Sequence, residues 1–229
     1  MKTIGLIGGS SWYSTIDYYR IINETVNLRT GNNSSAKILL YSVNFREIVE
    51  LTEKGDWDGI AKILCDAARR LELAGAECLL LCANTMHIVA EEVQEAISIP
   101  LIHVADVTLK AILGKNYSGV LLLGTKYTML GGFYSKRLGA HGIKTFIPEG
   151  KALEFINATI YNEFGKGIFL PATKMMYLDI IRDFIPMGAQ GVILGCTEIP
   201  ILLKQEDCSI PLFDTTQLHA VSGVDFAGW

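Results

Sequence analysis

Two stretches end an apolar run on a cysteine and a cluster of small polar groups, a setting in which a thiol can do chemistry. In "GVILGCTEIP" (191–200) a glycine turns the chain before Cys196, Thr197 and Glu198. A helix opening just beyond would direct its positive end and its N–H groups at Cys196 and favour the thiolate. A thiolate is a competent base or nucleophile. The plainer alternative is a small buried cysteine beside a capping threonine. "AECLLLCANTMH" (76–87) has the same construction, with Cys82, Ala83, Asn84 and Thr85 at its end. Asn84 and Thr85 can donate to a carboxylate and cap a helix beginning near Met86, or act only as caps. His87, one turn further on, reads as an exposed or satisfied histidine rather than a catalytic one.

The two stretches align on each other. Asn84 matches Thr197 at a spacing of 113 residues. "IGLIGGSS" (4–11) matches "VLLLGTKY" (120–127), with Gly8 on Gly124 at a spacing of 116. Two such similar spacings indicate an internal duplication of about half the chain. In that frame Cys196 corresponds to Ala83, and Cys82 to Gly195. Side chains alternate faces along a strand, so the one-residue offset decides which cysteine matters. Cys82 is expected to face away and pack as a small apolar residue, unless the strand end bulges.

"GGSSW" (8–12) and "GTKYT" (124–128) read as strand-to-helix glycine turns, which present N–H groups and hydroxyls to anions. Neither is a P-loop or a GxGxxG fingerprint, so a nucleotide is not indicated. Four such strand ends, paired across a duplication, point to one shared small-anion site. Arg46, in "SVNFREI", could clamp a carboxylate, or could pair on the surface with Glu47 or Glu50. Lys166, in a loop, is a weaker candidate, and Asp214 in "FDTTQLHA" reads as a helix cap.

The elements that must position these groups alternate. Strands are expected at 3–9, 35–44, 76–82, 98–104, 119–124, 142–147, 191–195 and 210–213. Residues 57–73 place Trp57, Ile60, Leu64, Ala67, Ala68 and Leu71 on one helical face, and 151–185 hold two helices around "GKGIFLP". Alternation of this kind implies an α/β fold of two pseudo-symmetric lobes, each a mainly parallel sheet flanked by helices. A cleft is expected between the carboxyl ends of their strands. The expected lobes are 1–107 with 208–229, and 108–207.

The 229 residues are half apolar with a positive mean hydropathy, enough to bury a substantial core. No apolar run is long enough for a membrane span, and the start, "MKTIGLIGGSSW", does not read as a signal peptide. A cytoplasmic location is the expectation. Twenty basic and 24 acidic residues give a net charge of −4 with no basic block, which offers nothing to nucleic acid or a lipid surface. Five cysteines, an odd number without zinc spacing, argue against disulfides and a metal site. Cys65, Cys78 and Cys208 read as structural.

Along the whole chain and in order, "IGLIGGSSWYST", "LCANTMH", "LLGTKYTM", "GCTEI" and "FDTTQLHA" resemble the cofactor-independent aspartate/glutamate racemase family. The resemblance is nearest to its subgroup with "GGMSW"-like openings, which includes a bacterial enzyme preferring L-aspartate and L-glutamate. Glutamate racemases end the second motif in Cys-Thr-His; Glu198 stands there instead, which favours the aspartate-type branch. The resemblance implies an acidic amino acid as substrate, no pyridoxal or other cofactor, and a homodimer. It also implies two bases on opposite sides of the α-carbon, one removing the proton and the other returning it. Cys196 would be one. The α-carboxylate would lie against Asn84, Thr85, Thr125, Thr197 and the N–H groups near Gly9 and Ser10, with Ala83 and Glu198 beside it and Arg46 on the side-chain carboxylate.

The family's first cysteine directly precedes Asn-Thr, and here that residue is Ala83. Three readings follow. The alanine is native, with water or another group as the first base. Or the chemistry has become a one-cysteine reaction, as in the related arylmalonate decarboxylases. Or the alanine is an engineered substitution. A two-lobed binding protein without chemistry is the alternative from another class.

Overall fold

The computed structural model describes all 229 residues, and the chain divides into two compact units, 1–107 with 216–229, and 108–215. In the first, β1 (Ile4–Gly8) is wholly buried and forms the middle of a parallel three-stranded sheet. The helix α1 (Trp12–Thr30) follows, capped by the Ser11 hydroxyl and closed by Gly31 in a left-handed conformation. Next come β2 (Ile38–Ser42), α2 (Phe45–Lys54), α3 (Trp57–Leu73) and β3 (Cys78–Leu81). A 3-10 turn (Thr85–Val89) and the short α4 (Ala90–Glu95) lead to α5 (Val104–Leu113), which carries the chain into the second unit.

Strand alternation divides the first core in two. Ile7, Leu79 and Leu81 pack on Ile60, Leu64, Ala67, Ala68 and Leu71 of α3, the face expected from the helical spacing. Ile4, Leu6, Cys78, Leu80 and Cys82 point the other way, onto Tyr18, Ile22 and Val26 of α1. The strand expected at 98–104 is only a bridge, Leu101 against Leu79, because α5 begins at Val104 and ends the extended run.

The second unit holds β4 (Gly119–Gly124), α6 (Lys126–Leu130), α7 (Phe133–Gly139), β5 (Lys144–Phe146), α8 (Gly150–Asn162), α9 (Pro171–Phe184), β6 (Val192–Gly195), α10 (Ile199–Leu202) and β7 (Leu212–Asp214). Its sheet runs β5-β4-β6-β7, all parallel. The final helix α11 (Thr215–Ala227) returns to the first unit and adds Ala220, Val224 and Ala227 to the α1 side of its core.

The return point differs from the expected 207/208. β7 hydrogen-bonds to β6, with Leu212 on Val192 and Phe213 on Ile193, and the Thr215 hydroxyl donates to Leu194 O at 2.8 Å. The strand therefore belongs to the second sheet, and the chain crosses only at 215/216.

The first three strands of the two sheets are laid out alike, β2-β1-β3 against β5-β4-β6. This repeat is what the paired motifs anticipate. One turn in it tolerates no side chain: Gly9 has φ +89°, and a Cβ there would stand 2.2 Å from Val43 O. We expect Gly9→Ala to lower stability by more than about 2 kcal/mol through backbone strain and overlap. Urea unfolding of the two proteins checks this, and equal midpoints would refute it.

Candidate active site

At the end of β6 the chain passes through Gly195 into Cys196, Thr197 and Glu198. Glycine is required at Gly195 because a Cβ would lie 2.9 Å from Leu123 O on β4. The close approach of the two strands fixes where Cys196 emerges. All three following residues are half-buried. Cys196 Sγ–H donates to Glu198 Oε2 at 2.9 Å, and the Thr197 hydroxyl donates to the same oxygen at 2.8 Å. Burial pushes the Cys196 thiol well up from its ordinary value, and the Glu198 carboxylate adds to the effect. The N–H groups of Thr197 and Glu198 oppose it but do not win.

That overturns the expected helix-stabilised thiolate. α10 is a single turn, its N-cap residue is Glu198, and neither Glu198 nor Thr197 caps it through a side chain. A thiol hydrogen-bonded to a carboxylate rests as an acid.

The first unit's strand end can be superimposed on this one by register alone. β1 pairs Ile7 with Leu81, and β4 pairs Leu123 with Leu194. One residue further on, Cys82 falls on Gly195, and two residues further on, Ala83 falls on Cys196, as the motif alignment expects. Cys82 is 2% exposed and packs with Cys78 and Leu80 against α1. Burial alone raises its thiol far out of the physiological range. Its carbonyl accepts from the Ser14 hydroxyl at 2.6 Å. Ala83 is half-buried and turned to the opposite, α3 side of the sheet. Asn84 is buried and Thr85 half-buried, but Asn84 does not cap the turn through its side chain, contrary to expectation. Its φ of −58° is already helical, whereas a capping residue is extended.

The glycine turns are more self-contained than the sequence suggests. Gly9 N–H donates to Thr15 Oγ1 at 2.9 Å, so this N–H is committed within the turn, while Ser10 beside it is half-exposed. Thr125 caps α6 by accepting from Thr128 N–H at 3.1 Å. Arg46 takes the plain alternative: its side chain is 84% exposed and Nε pairs with Glu50 Oε1 at 2.8 Å. Such a pair in water is worth under about 1 kcal/mol. Lys166 is exposed in the 3-10 turn Phe164–Lys166.

Spacing does not reveal a histidine cluster behind the first strand end. Three of the chain's four histidines, His87, His103 and His219, are buried together in the first unit, with the His87 ring 4.7 Å from His103 and 5.4 Å from His219. Burial favours the neutral form of His87 and His219, against the backbone carbonyls that accept from them. His87 Nε2 accepts from Val104 N–H at 3.2 Å, and Nδ1–H donates to Ala83 O at 3.1 Å. His219 Nε2–H donates to Ile102 O at 2.6 Å, which leaves Nδ1 to accept from the Tyr18 hydroxyl at 2.8 Å. His103 Nδ1 accepts from Ala105 N–H at 3.1 Å. His87 is thus the satisfied histidine of the two options, and it holds the carbonyl of Ala83. The three lie on the 3-10 turn, at the start of α5 and on α11, too far apart in sequence to be seen as a group.

A model of the Asp/Glu/hydantoin racemase family matches residues 7–223. A Yersinia pestis chain provisionally described as an Asp/Glu racemase is 46% identical, covers 99% of each chain and superimposes with a TM-score of 0.94. PH1733 from Pyrococcus horikoshii, described as an aspartate racemase homologue, is 35% identical over the whole of both chains, with a TM-score of 0.87. The broad-specificity amino-acid racemase RacX of Bacillus subtilis is 28% identical over 169 residues, 74% of this chain and 73% of RacX. With two parallel sheets flanked by helices and matched strand ends, the chain belongs to the Asp/Glu/hydantoin racemase family.

Proposed function

We propose that the protein acts on the α-proton of aspartate or glutamate without a cofactor, with Cys196 as its acid/base and Ala83 in the place of the second base. The observation that carries this reading is the register: Cys196 and Ala83 occupy the same step beyond equivalent strands. An alanine methyl can neither take nor give a proton. In this reading Asn84, Thr85, Thr125 and Thr197 bind the substrate's α-carboxylate. A weakly acidic α-proton needs such preorganised donors around the developing charge.

With one base, proton removal and return occur on the same side. The expected result is α-deuterium incorporation into one enantiomer in D₂O that runs well ahead of inversion. NMR of L- and D-aspartate and of L- and D-glutamate measures the first, and chiral chromatography the second. Cys196→Ser should slow incorporation by roughly 100-fold or more. If neither enantiomer of either acid exchanges faster with the wild type than with Cys196→Ser, the proposal fails.

The lone Cys196, with an alanine at the equivalent strand end, also favours a second reading, decarboxylation of a substituted malonate with the thiol protonating the product. Release of carbon dioxide from arylmalonates, lost in Cys196→Ser, would select it over the first.

A further inference from the structure

Glu198 is usefully compared with every other carboxylate near a thiol in this chain. Cys78 and Cys82 are packed in a core, Cys65 Sγ donates to Glu92 O at 3.4 Å, and Cys208 lies in a half-buried turn. Only Cys196 has a side-chain carboxylate oxygen recorded in hydrogen-bond contact, at 2.9 Å. That oxygen, Oε2, also takes the Thr197 hydroxyl at 2.8 Å. The geometry has a direction. Thr197 holds Oε2 in place, and the S–H bond points into it. A carboxylate so engaged is a poor partner for an anionic substrate and a good one for a proton.

We propose that Glu198 is the positioning residue for Cys196: it holds the S–H group at rest and takes its proton when the sulfur acts as a base. This deepens the racemase reading and rests on it for the catalytic step. The step balances. The S–H proton moves to Glu198 Oε2, and its electron pair stays on sulfur. The thiolate then takes the α-proton, and that C–H electron pair stays on the α-carbon. Returning the proton reverses both transfers. Because Glu198 is half-buried rather than sealed, its carboxyl proton can exchange with water, which gives solvent deuterium a route to Cys196.

The surroundings leave Glu198 this role. Cys196 itself acts on one further titratable group, Tyr177 of α9, fully buried, its hydroxyl held by Thr159 Oγ1 at 2.9 Å and donating to Ile156 O at 3.3 Å. Burial raises the Tyr177 hydroxyl far above neutrality, so it stays protonated. The N–H groups of Thr197 and Glu198 favour the thiolate, so removing the carboxylate leaves them unopposed by a like charge.

The test separates the pairing from the activity. Iodoacetamide alkylation of Cys196, followed by peptide mass spectrometry across pH 6 to 10 on the folded protein, reads thiolate formation without any substrate. Glu198→Gln keeps an oxygen that can accept from the thiol but removes the charge, and Glu198→Ala removes both. Both should move the alkylation profile to lower pH, with at least a 10-fold faster reaction at pH 8. In the same variants, deuterium incorporation into aspartate or glutamate should fall at least 10-fold. Profiles that overlay the wild type in whichever variant folds would overturn the proposal. So would loss of exchange with an unmoved profile, which would make Glu198 a substrate contact. A shifted profile in a protein that never exchanges an acidic amino acid would keep the Cys196–Glu198 pairing and reject the racemase reading.

Discussion

Ala83→Cys will raise the rate of aspartate or glutamate inversion by roughly 100- to 10,000-fold, the usual range for supplying a positioned acid or base. The substitution adds one sulfur to a half-buried side chain at the residue whose register matches Cys196. The backbone there is held independently of the side chain, by His87 Nδ1–H on Ala83 O. The fold therefore has no reason to change. Deuterium incorporation, which the proposed one-base reaction supports from one side, should change less than inversion does. The ratio of the two rates should fall toward one as the second base takes over. Cys196→Ser in the Ala83→Cys background should return inversion to the original level. A folded Ala83→Cys protein with unchanged inversion would mean that Ala83 does not face the reacting carbon.

Acid will destabilise the first unit through its histidines, and the effect will be large. His219 is fully buried, and burial lowers it from 6.5 to about 4. His87 is lowered well below its ordinary value, first by burial and then by His103 and His219. A group that is neutral when folded and protonated when unfolded makes stability rise with pH. The stabilisation is complete above about pH 6.5, declines as pH falls from there to about 4, and is flat below the folded value. For His219 alone the loss is about 3 kcal/mol, out of a total of about 5–15 for a typical domain. Protonation also removes two acceptors: the Tyr18 hydroxyl can no longer donate to His219 Nδ1, nor Val104 N–H to His87 Nε2. Cys82, on the same side of the sheet, is neutral throughout, and Asp106 in the first turn of α5 is exposed. Urea midpoints at pH 7.5 and 4.5 should differ strongly in the wild type. The difference should be smaller in His219→Gln, whose amide can still donate to Ile102 O and accept from Tyr18, and the remainder is the share of His87. Equal pH dependence in the two proteins would refute the assignment.

What the sequence made legible follows from local physics. Strand–glycine–polar punctuation is local, so the paired motifs located the strand ends and the offset between Cys82 and Ala83. The register of β1 on β3 and of β4 on β6 repeats that offset. The α3 face was legible because a 3.6-residue period is visible in seventeen residues. The allegiance of β7 was not, since Leu212–Asp214 is three residues long and fits the edge of either sheet. The thiol's protonation is not legible in sequence, because it rests on burial, on a helix too short to supply much dipole and on the carboxylate two residues on. Arg46 could be read as a clamp or as a surface pair, and only coordinates choose Glu50. The histidine cluster depends on a turn, a helix start and the distant α11, so no window of sequence contains it.

The return of α11 to the first unit sets an order of events during synthesis. Residues 108–215, an unbroken stretch, hold every strand of the second sheet and all emerge before α11 is complete. The first unit cannot finish then. Tyr18 waits for His219, the α1 side of the core waits for Ala220, Val224 and Ala227, and Lys2 N–H waits for Ala227 O. Until α11 leaves the ribosome, the apolar face formed by Ile4, Leu6, Leu80 and Cys82 lacks one of its two helical covers. The older half of the nascent chain is therefore the last to be sealed, and it is this half that a chaperone would have to shield.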